Sequence, residues 1–453
     1  MPAAAPRIRS SAAIAALITV LPLVSAASAP MAGPPPSASP SSSASDADKT
    51  RAEVARAAMN ARWRKSGGAE GPLGDKESAL FRAAGGFGWR FSGGNVYWIE
   101  ATGAHSVLGR MQHRLRAIGG PGSVGFPDRE AMAAQVSGAT AQRFQRARFY
   151  LSQGTGAHTV RPPFLQPFLN RGGVQRYGLP VHERAAARAK GARVQEFQRA
   201  RWFYSRRTGA HVLWGQILER YLRVGGTTSW LGLPRRDQHD VTAGTRADFV
   251  HGSLLRSDAR HRILVRRPFT AEVSSVTAAE LPYSYRSGCP VAPSALRKIR
   301  VVHRQFDGDD QVGTLVVAES VVADITRVFR DAHGAGFAVR RIEKVDRYGG
   351  DDVRSMEADN TSAFNCRKVT GNPYRLSQHS YGNAIDVNPF ENPYVTSSSV
   401  YPDGSDSYLD RDNVRPGMII AGRAVAAAFA AEGWYWGARW SNPDYQHFSS
   451  NGG

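Results

Sequence analysis

The chain has 453 residues, more than one ordinary hydrophobic core accommodates, so two or three domains with tails are expected. Hydrophobic residues at 42% and charged residues at 21% exclude a wholly disordered chain and a multispan membrane protein. The net charge of +20 is local: residues 51–270 carry 36 basic and 14 acidic side chains, and residues 271–453 carry 19 and 22, so the two halves face different partners.

Arg7 and Arg9 precede an apolar stretch from Ala12 to Val24 and then the small residues Ser25 to Ala29, the three-part pattern of a secretory signal. Residues 1–26 are read as that signal, with cleavage after Ala26, because cleavage after Ala29 would place Pro30 first. The apolar run falls short of the about 20 residues a membrane span needs, so no span is expected once the signal is removed. Residues 27–50, dominated by Pro, Ser and Ala, cannot bury enough apolar surface to offset ordering entropy and read as a linker.

Between residues 51 and 265 the sequence repeats. Thr-Gly-Ala-His recurs at Thr102–His105, Thr155–His158 and Thr208–His211, a step of 53 residues shared by Gly119, Gly172 and Gly225. Phe91, Phe144, Phe197 and Phe249 mark four copies, the last incomplete, and Gly125-Phe126-Pro127, Gly178-Leu179-Pro180 and Gly232-Leu233-Pro234 mark a turn. Each unit is expected to run as turn, short helix, aromatic hairpin, Thr-Gly-Ala-His turn, second helix and Gly-Gly stop. A fixed period with mixed elements means an array in which neighbours complete each other's cores.

His105, His158 and His211, tens of residues apart with no carboxylate or thiol at ligand spacing, read as turn or core residues rather than metal ligands. Arg143, Arg146, Arg148, Arg199, Arg201, Arg206 and Arg207 exceed what solubility requires and make a one-sign field that concentrates polyanions. Nucleic acid is one such polyanion, against which export argues; outside a Gram-positive-type cell the available polyanions are wall polymers, whose oxyanions suit the two-pronged guanidinium. The array resembles tandem LGFP repeats of actinobacterial envelope proteins, three full copies and a partial fourth, and the resemblance implies attachment to the cell wall.

Residues 270–453 have no repeat and hold the ligand-like cluster of the chain: His379 and Asp386 in Ser377-Gln378-His379-Ser380-Tyr381-Gly382-Asn383-Ala384-Ile385-Asp386, then Asp444 and His447 in Asp444-Tyr445-Gln446-His447. Two imidazoles and a carboxylate suit zinc, which in catalytic sites keeps its fourth position for water. Ala384-Ile385-Asp386-Val387 alternates as a strand that sends Asp386 to the site and Ile385 and Val387 into the core, while Gly382 permits a close turn. Asp444 supplies a second carboxylate beside His447, as a general base for zinc-bound water requires. Cys289 and Cys366, the two cysteines of an exported chain, are expected to pair.

The motifs Ser-x-His-x-x-Gly-x-Ala-x-Asp and Asp-x-x-His, with Asn360 to Arg367 and Asn388-Pro389, resemble VanY-type D-alanyl-D-alanine carboxypeptidases and endolysin L-alanyl-D-glutamate peptidases. That resemblance implies one zinc on His379, Asp386 and His447, Asp444 as base, and an arginine near the scissile carbonyl. Arg367 is the positional match, with Arg340, Arg341 and Arg347 as competitors. Trp436-Gly437-Ala438-Arg439-Trp440 departs from the family by lacking a second glycine and an acidic residue, which bears on substrate preference.

The expected protein is therefore multidomain: an α+β array of helix and β-hairpin units followed by a small α+β zinc peptidase domain with a central antiparallel sheet. It would be secreted to the wall of an actinobacterium-like Gram-positive cell and would hydrolyse amide bonds in peptidoglycan stem peptides, as a D,D-carboxypeptidase or as an L-alanyl-D-glutamate or D,D-endopeptidase. The competing reading is a non-catalytic envelope-binding protein built on a peptidase-like scaffold. The sequence assigns no oligomeric state.

Overall fold

The computed structural model describes residues 42–369 and 372–453; the stretch read from the sequence as a signal, and that read as a linker up to residue 41, lie outside the described residues. Helix Ser42–Lys65 begins inside the segment that composition assigns to the linker. Beyond Thr50 the helix is rich in alanine and arginine, strong helix formers, and at its start Lys49 pairs with Asp46 at 3.3 Å, one turn apart. Among the described residues no helix is long and apolar enough to cross a membrane.

Four antiparallel four-stranded meanders follow, each with its strands in chain order. The aromatic hairpins form as expected: Ala139–Phe144 pairs with Ala147–Ser152, and Arg193–Phe197 with Ala200–Ser205. Thr-Gly-Ala-His turns the chain into the last strand of each of the first three sheets, and helices Gly109–Ala117, Leu165–Asn170 and Gly215–Arg223 come next. Gly119, Gly172 and Gly225, with φ of 94°, 100° and 107°, take the left-handed conformation beyond these helices.

The short helix expected between turn and hairpin is instead a short strand, Met132–Ala133 in one copy and Ala185–Ala186 in the next, paired to the hairpin. Alanine content favours a helix there, but tertiary bonding overrides it. The extended path carries a carboxylate back to the preceding sheet: Glu130 accepts from the Ser106 amide at 3.2 Å, Glu183 from Thr159 at 2.8 Å, and Asp237 from Val212 at 3.3 Å. Each acceptor also faces an arginine, Arg62 at 3.0 Å, Arg114 at 3.7 Å and Arg171 at 2.5 Å. The repeated histidines belong to the same framework, with Nε2 of His105, His158 and His211 donating to the carbonyls of Thr102, Thr155 and Thr208.

Each helix packs on the sheet that follows it. Phe168 stacks on Phe197 and Tyr221 on Phe249, both pairs with centroids 4.7 Å apart, and Trp63 stacks on Phe91 at 6.3 Å. Trp63 Nε1 bonds the Gly74 carbonyl at 2.9 Å just as the Tyr221 hydroxyl bonds Gly232 at 2.8 Å. The end of the N-terminal helix thus serves the first sheet as Gly215–Arg223 serves the fourth.

Past Arg266 the chain enters a three-stranded antiparallel sheet, Ala271–Ser275, Leu296–Arg304 and Asp310–Ala318. Helix Val322–Gly334 buries Ile325, Val328, Phe329 and Ala332, spaced as one helical face. A second three-stranded sheet orders Ala384–Asp386, His447–Ser449 and Tyr435–Trp436. One core joins both, with Phe429 of helix Ala424–Ala431 stacked on Phe448 at 4.0 Å. Antiparallel pairing among the described residues is therefore divided between these two sheets and two short hairpins, Lys368–Val369 with Asn372–Leu376 and Tyr394–Val395 with Val400–Tyr401, instead of being gathered in one central sheet. The reason is local: the sheets meet at the Gly382 turn, whose carbonyl accepts from the Ala318 amide at 2.8 Å. A Cβ on Gly382, at φ +71°, would lie 2.7 Å from that nitrogen. Cys289 and Cys366 form a disulfide, Cys366 being buried in a satellite core with Leu281, Leu296 and Phe364.

Candidate metal centre

Strand pairing builds the centre. Asp386 and His447 are direct cross-strand partners, so their side chains leave the same face of the small sheet. Ile385 and Val387, at 0% and 1% exposed, point into the core as their alternation requires. His379 arrives on the short 3₁₀ turn Gln378–Tyr381, capped by Ser377, whose Oγ accepts from the His379 amide at 3.3 Å. That contact explains the serine of the motif.

The three side chains converge. His379 Nε2 lies 3.0 Å from Asp386 Oδ2, His447 Nδ1 lies 2.9 Å from Asp386 Oδ1, and the two ring nitrogens are 3.2 Å apart. All three residues are buried, with donor atoms within 4.8 Å of one another, as a single cation would need. His379 Nδ1 donates to the Ala363 carbonyl at 2.6 Å, which leaves the Nε2 lone pair facing the cluster. Donor chemistry and orientation fit a metal ion of the zinc type.

Burial opposes charge on His379, but the Asp386 carboxylate beside it prevails and raises its pKa. Burial would likewise raise Asp386, yet the two histidines hold it well below the carboxylate range. Asp444 goes the other way: burial and the negative charge of Asp386 push it up to about 7. Its Oδ1 is buried with no hydrogen-bond partner.

These residues line a cleft of about 330 Å³ that also holds Arg367. Arg367 pairs with Asp352 at 2.6 Å, and its backbone is clamped by Ser380, which accepts from its amide at 3.0 Å and donates to its carbonyl at 2.8 Å. The disulfide at Cys366 fixes the adjacent position. Arg340 is instead engaged by Asp359 and Glu391, both at 3.0 Å, while Arg341 and Arg347 line a different groove. Of the four arginines the sequence left in competition, Arg367 is the one brought to the cleft.

Three contributors escaped the sequence. Asp352 opens helix Asp352–Glu357, and nothing in the sequence links it to position 367. Tyr394 lines the cleft and bridges Asp444 through its backbone. Gly437 lies under the Asp444–His447 turn; its carbonyl accepts from the Asp444 amide at 3.1 Å, and a Cβ there would sit 2.8 Å from the Asp444 carbonyl oxygen. The glycine within the atypical Trp436–Trp440 stretch was the available signal for the last.

Residues 72–123, 124–175 and 178–229 match the model of the LGFP repeat, and residues 370–450 match the D-alanyl-D-alanine carboxypeptidase family model. His379, Asp386, Asp444 and His447 fall inside the second match, and Arg367 lies just before it. No curated relative matches the chain.

Proposed function

We propose that this chain, with its LGFP repeats and its segment similar to D-alanyl-D-alanine carboxypeptidases, is an exported zinc peptidase that hydrolyses stem-peptide amide bonds in peptidoglycan and is held at the wall by its repeats. The observation that carries this reading is the His379, Asp386 and His447 cluster with the unpartnered carboxylate oxygen of Asp444 beside it. A structural scaffold gains nothing from burying such a group unsatisfied.

His379, Asp386 and His447 hold the ion, which when bound supplies Lewis acidity to the amide carbonyl and to a water molecule. Asp444, poised near neutrality, accepts the proton of the attacking water and returns it to the departing amine. Arg367 donates hydrogen bonds to the carbonyl oxygen as negative charge builds there, and Asp352 keeps the guanidinium aimed. Trp440, with its ring 5.3 Å from that of His447, and Met356 shield the reacting groups from bulk water.

Mass spectrometry of peptidoglycan digested by the zinc-loaded chain tests the proposal. Loss of the terminal D-alanine identifies a carboxypeptidase, and shortened or uncrosslinked stems identify an endopeptidase. An unchanged digest contradicts the reading.

A further inference from the structure

Beside the fourth sheet of the array lies a groove of about 600 Å³ lined by Arg235, Arg236, Arg246, Arg266 and Arg267, with Asp248 as its acidic residue. The groove has a counterpart in the first unit, between Phe91, Gly94 and Gly109, where helix Gly109–Ala117 walls it with Gln112, His113 and Arg116. In the fourth unit the chain leaves at Pro268 for the C-terminal half, so no helix closes the groove and Arg266 and Arg267 edge it instead. This unit also lies beyond the residues that match the repeat family.

Most of the charge is particular to this copy, although Arg129 and Arg161 of the second unit stand where Arg236 and Arg267 do. Asp128 and Val181 follow the turn proline where Arg235 does, and Ala141 and Val194 occupy the strand position of Arg246, three residues before the marker phenylalanine. Val160 and Leu213 stand where Arg266 does. Arg235 and Arg236 are exposed and make no ion pair among the described residues, whereas Arg246 is paired with Asp248 at 2.6 Å. Arg267 is fixed: its guanidinium lies 3.4 Å over the Trp230 ring, and its buried Nε has no hydrogen-bond partner.

We propose that this groove binds phosphodiester groups of an anionic wall polymer, an assignment that rests on the reading of the repeats as wall-binding. The guanidinia come from three directions: the turn after Pro234, strand Gly244–Asp248, and the end of strand Arg262–Arg266. A tetrahedral phosphodiester, its charge on two oxygens and its chain continuing on both sides, accepts donors from several directions, whereas a carboxylate presents one plane and suits a single fork. Arg267, held over the Trp230 ring, adds a fixed cation to the edge of the groove.

Calorimetric titration of the full chain with poly(glycerol phosphate) and with polygalacturonate tests this. The Arg235→Ala/Arg236→Ala variant should lose about tenfold in affinity for the phosphate polymer, while Arg188→Ala/Lys190→Ala, an equal charge change on an exposed turn outside the arginines assigned to binding, should lose under about twofold. Equal losses in the two variants would overturn the groove and leave wall binding by the array intact. Binding of polygalacturonate as tight as that of the phosphate polymer would overturn the phosphodiester assignment. A wild-type chain that binds neither polymer nor purified walls would instead overturn the reading of the array itself, and thermal melting of both variants separates loss of binding from loss of fold.

Discussion

The carboxylate of Asp309 accepts a hydrogen bond from the backbone amide of Val265 at 2.8 Å. Val265 lies 53 residues after Val212, which itself follows Thr159 and Ser106 at the same step, and each of those amides is held by an acid of the following repeat. Asp309 is not in a repeat; it sits before strand Asp310–Ala318 of the C-terminal half. Arg220, 3.6 Å away, supplies the arginine that Arg62, Arg114 and Arg171 supply elsewhere. The C-terminal half thus docks on the array by the bond with which one repeat holds the next, and the adjacent Asp310 adds a bond from the Arg267 amide at 2.9 Å.

Asp309→Ala should therefore loosen the joint, at a cost of about 2 kcal/mol for a buried charged acceptor. Hydrogen exchange at the amides of Val265 and its strand neighbours should accelerate, with exchange around Ile385 unchanged. Equal protection in variant and wild type would show that Asp309 does not hold the joint.

Much of this was legible in the sequence because it is periodic or local. The 53-residue step exposed the array, and the alternation of Ala384 to Val387 placed Asp386 correctly. The short strands at Met132 and Ala185 were not legible, because pairing with the hairpin that follows each of them overrules their alanine content. Nor was the service of helix Ser42–Lys65 to the first sheet, since Trp63 carries the part of Tyr221 in an otherwise unlike segment. The pairing of Arg367 with Asp352 joins elements with no sequence periodicity to connect them.

Glu391 gives a pH dependence of stability. It is fully buried, and burial, followed by the charge of Asp359, pushes its carboxyl up to about 8 despite Arg340 at 3.0 Å. A carboxyl raised on folding contributes stability that is whole below its unfolded value and falls as pH climbs from about 4.5 to about 8. Glu391→Gln, neutral throughout, should show a flatter melting-temperature profile over that window and gain on wild type at the alkaline end. Parallel profiles would contradict the burial of a protonated Glu391.

Gly437→Ala should disturb catalysis more than folding. The added Cβ would lie 2.8 Å from the Asp444 carbonyl oxygen and 3.3 Å from the His447 Cβ, so the turn carrying Asp444 and His447, the proposed base and ligand, must shift. A displacement of that size at a reacting group costs on the order of 100-fold in kcat. Steady-state kinetics at near-native melting temperature checks it, and an unchanged rate would show that the turn accommodates the methyl group.

Reduction of the Cys289–Cys366 disulfide, which closes a sequence separation of 77, should lower stability by about 4 kcal/mol on the chain-entropy account. Because Cys366 precedes Arg367, the rise in KM of the Cys289→Ser/Cys366→Ser variant should exceed its loss of metal affinity. Equal effects on both would disconnect the bridge from the cleft.

The most direct measurement pairs metal content with turnover in Asp444→Asn, using zinc-loaded chain and soluble muropeptides. The variant should retain one zinc per chain, as it loses no ligand, and its kcat should fall by about 100-fold to 10,000-fold through loss of the proton acceptor. His379→Ala should lose metal and turnover together. An Asp444→Asn protein that cleaves at the wild-type rate, or a metal-free wild type that is fully active, would contradict the account.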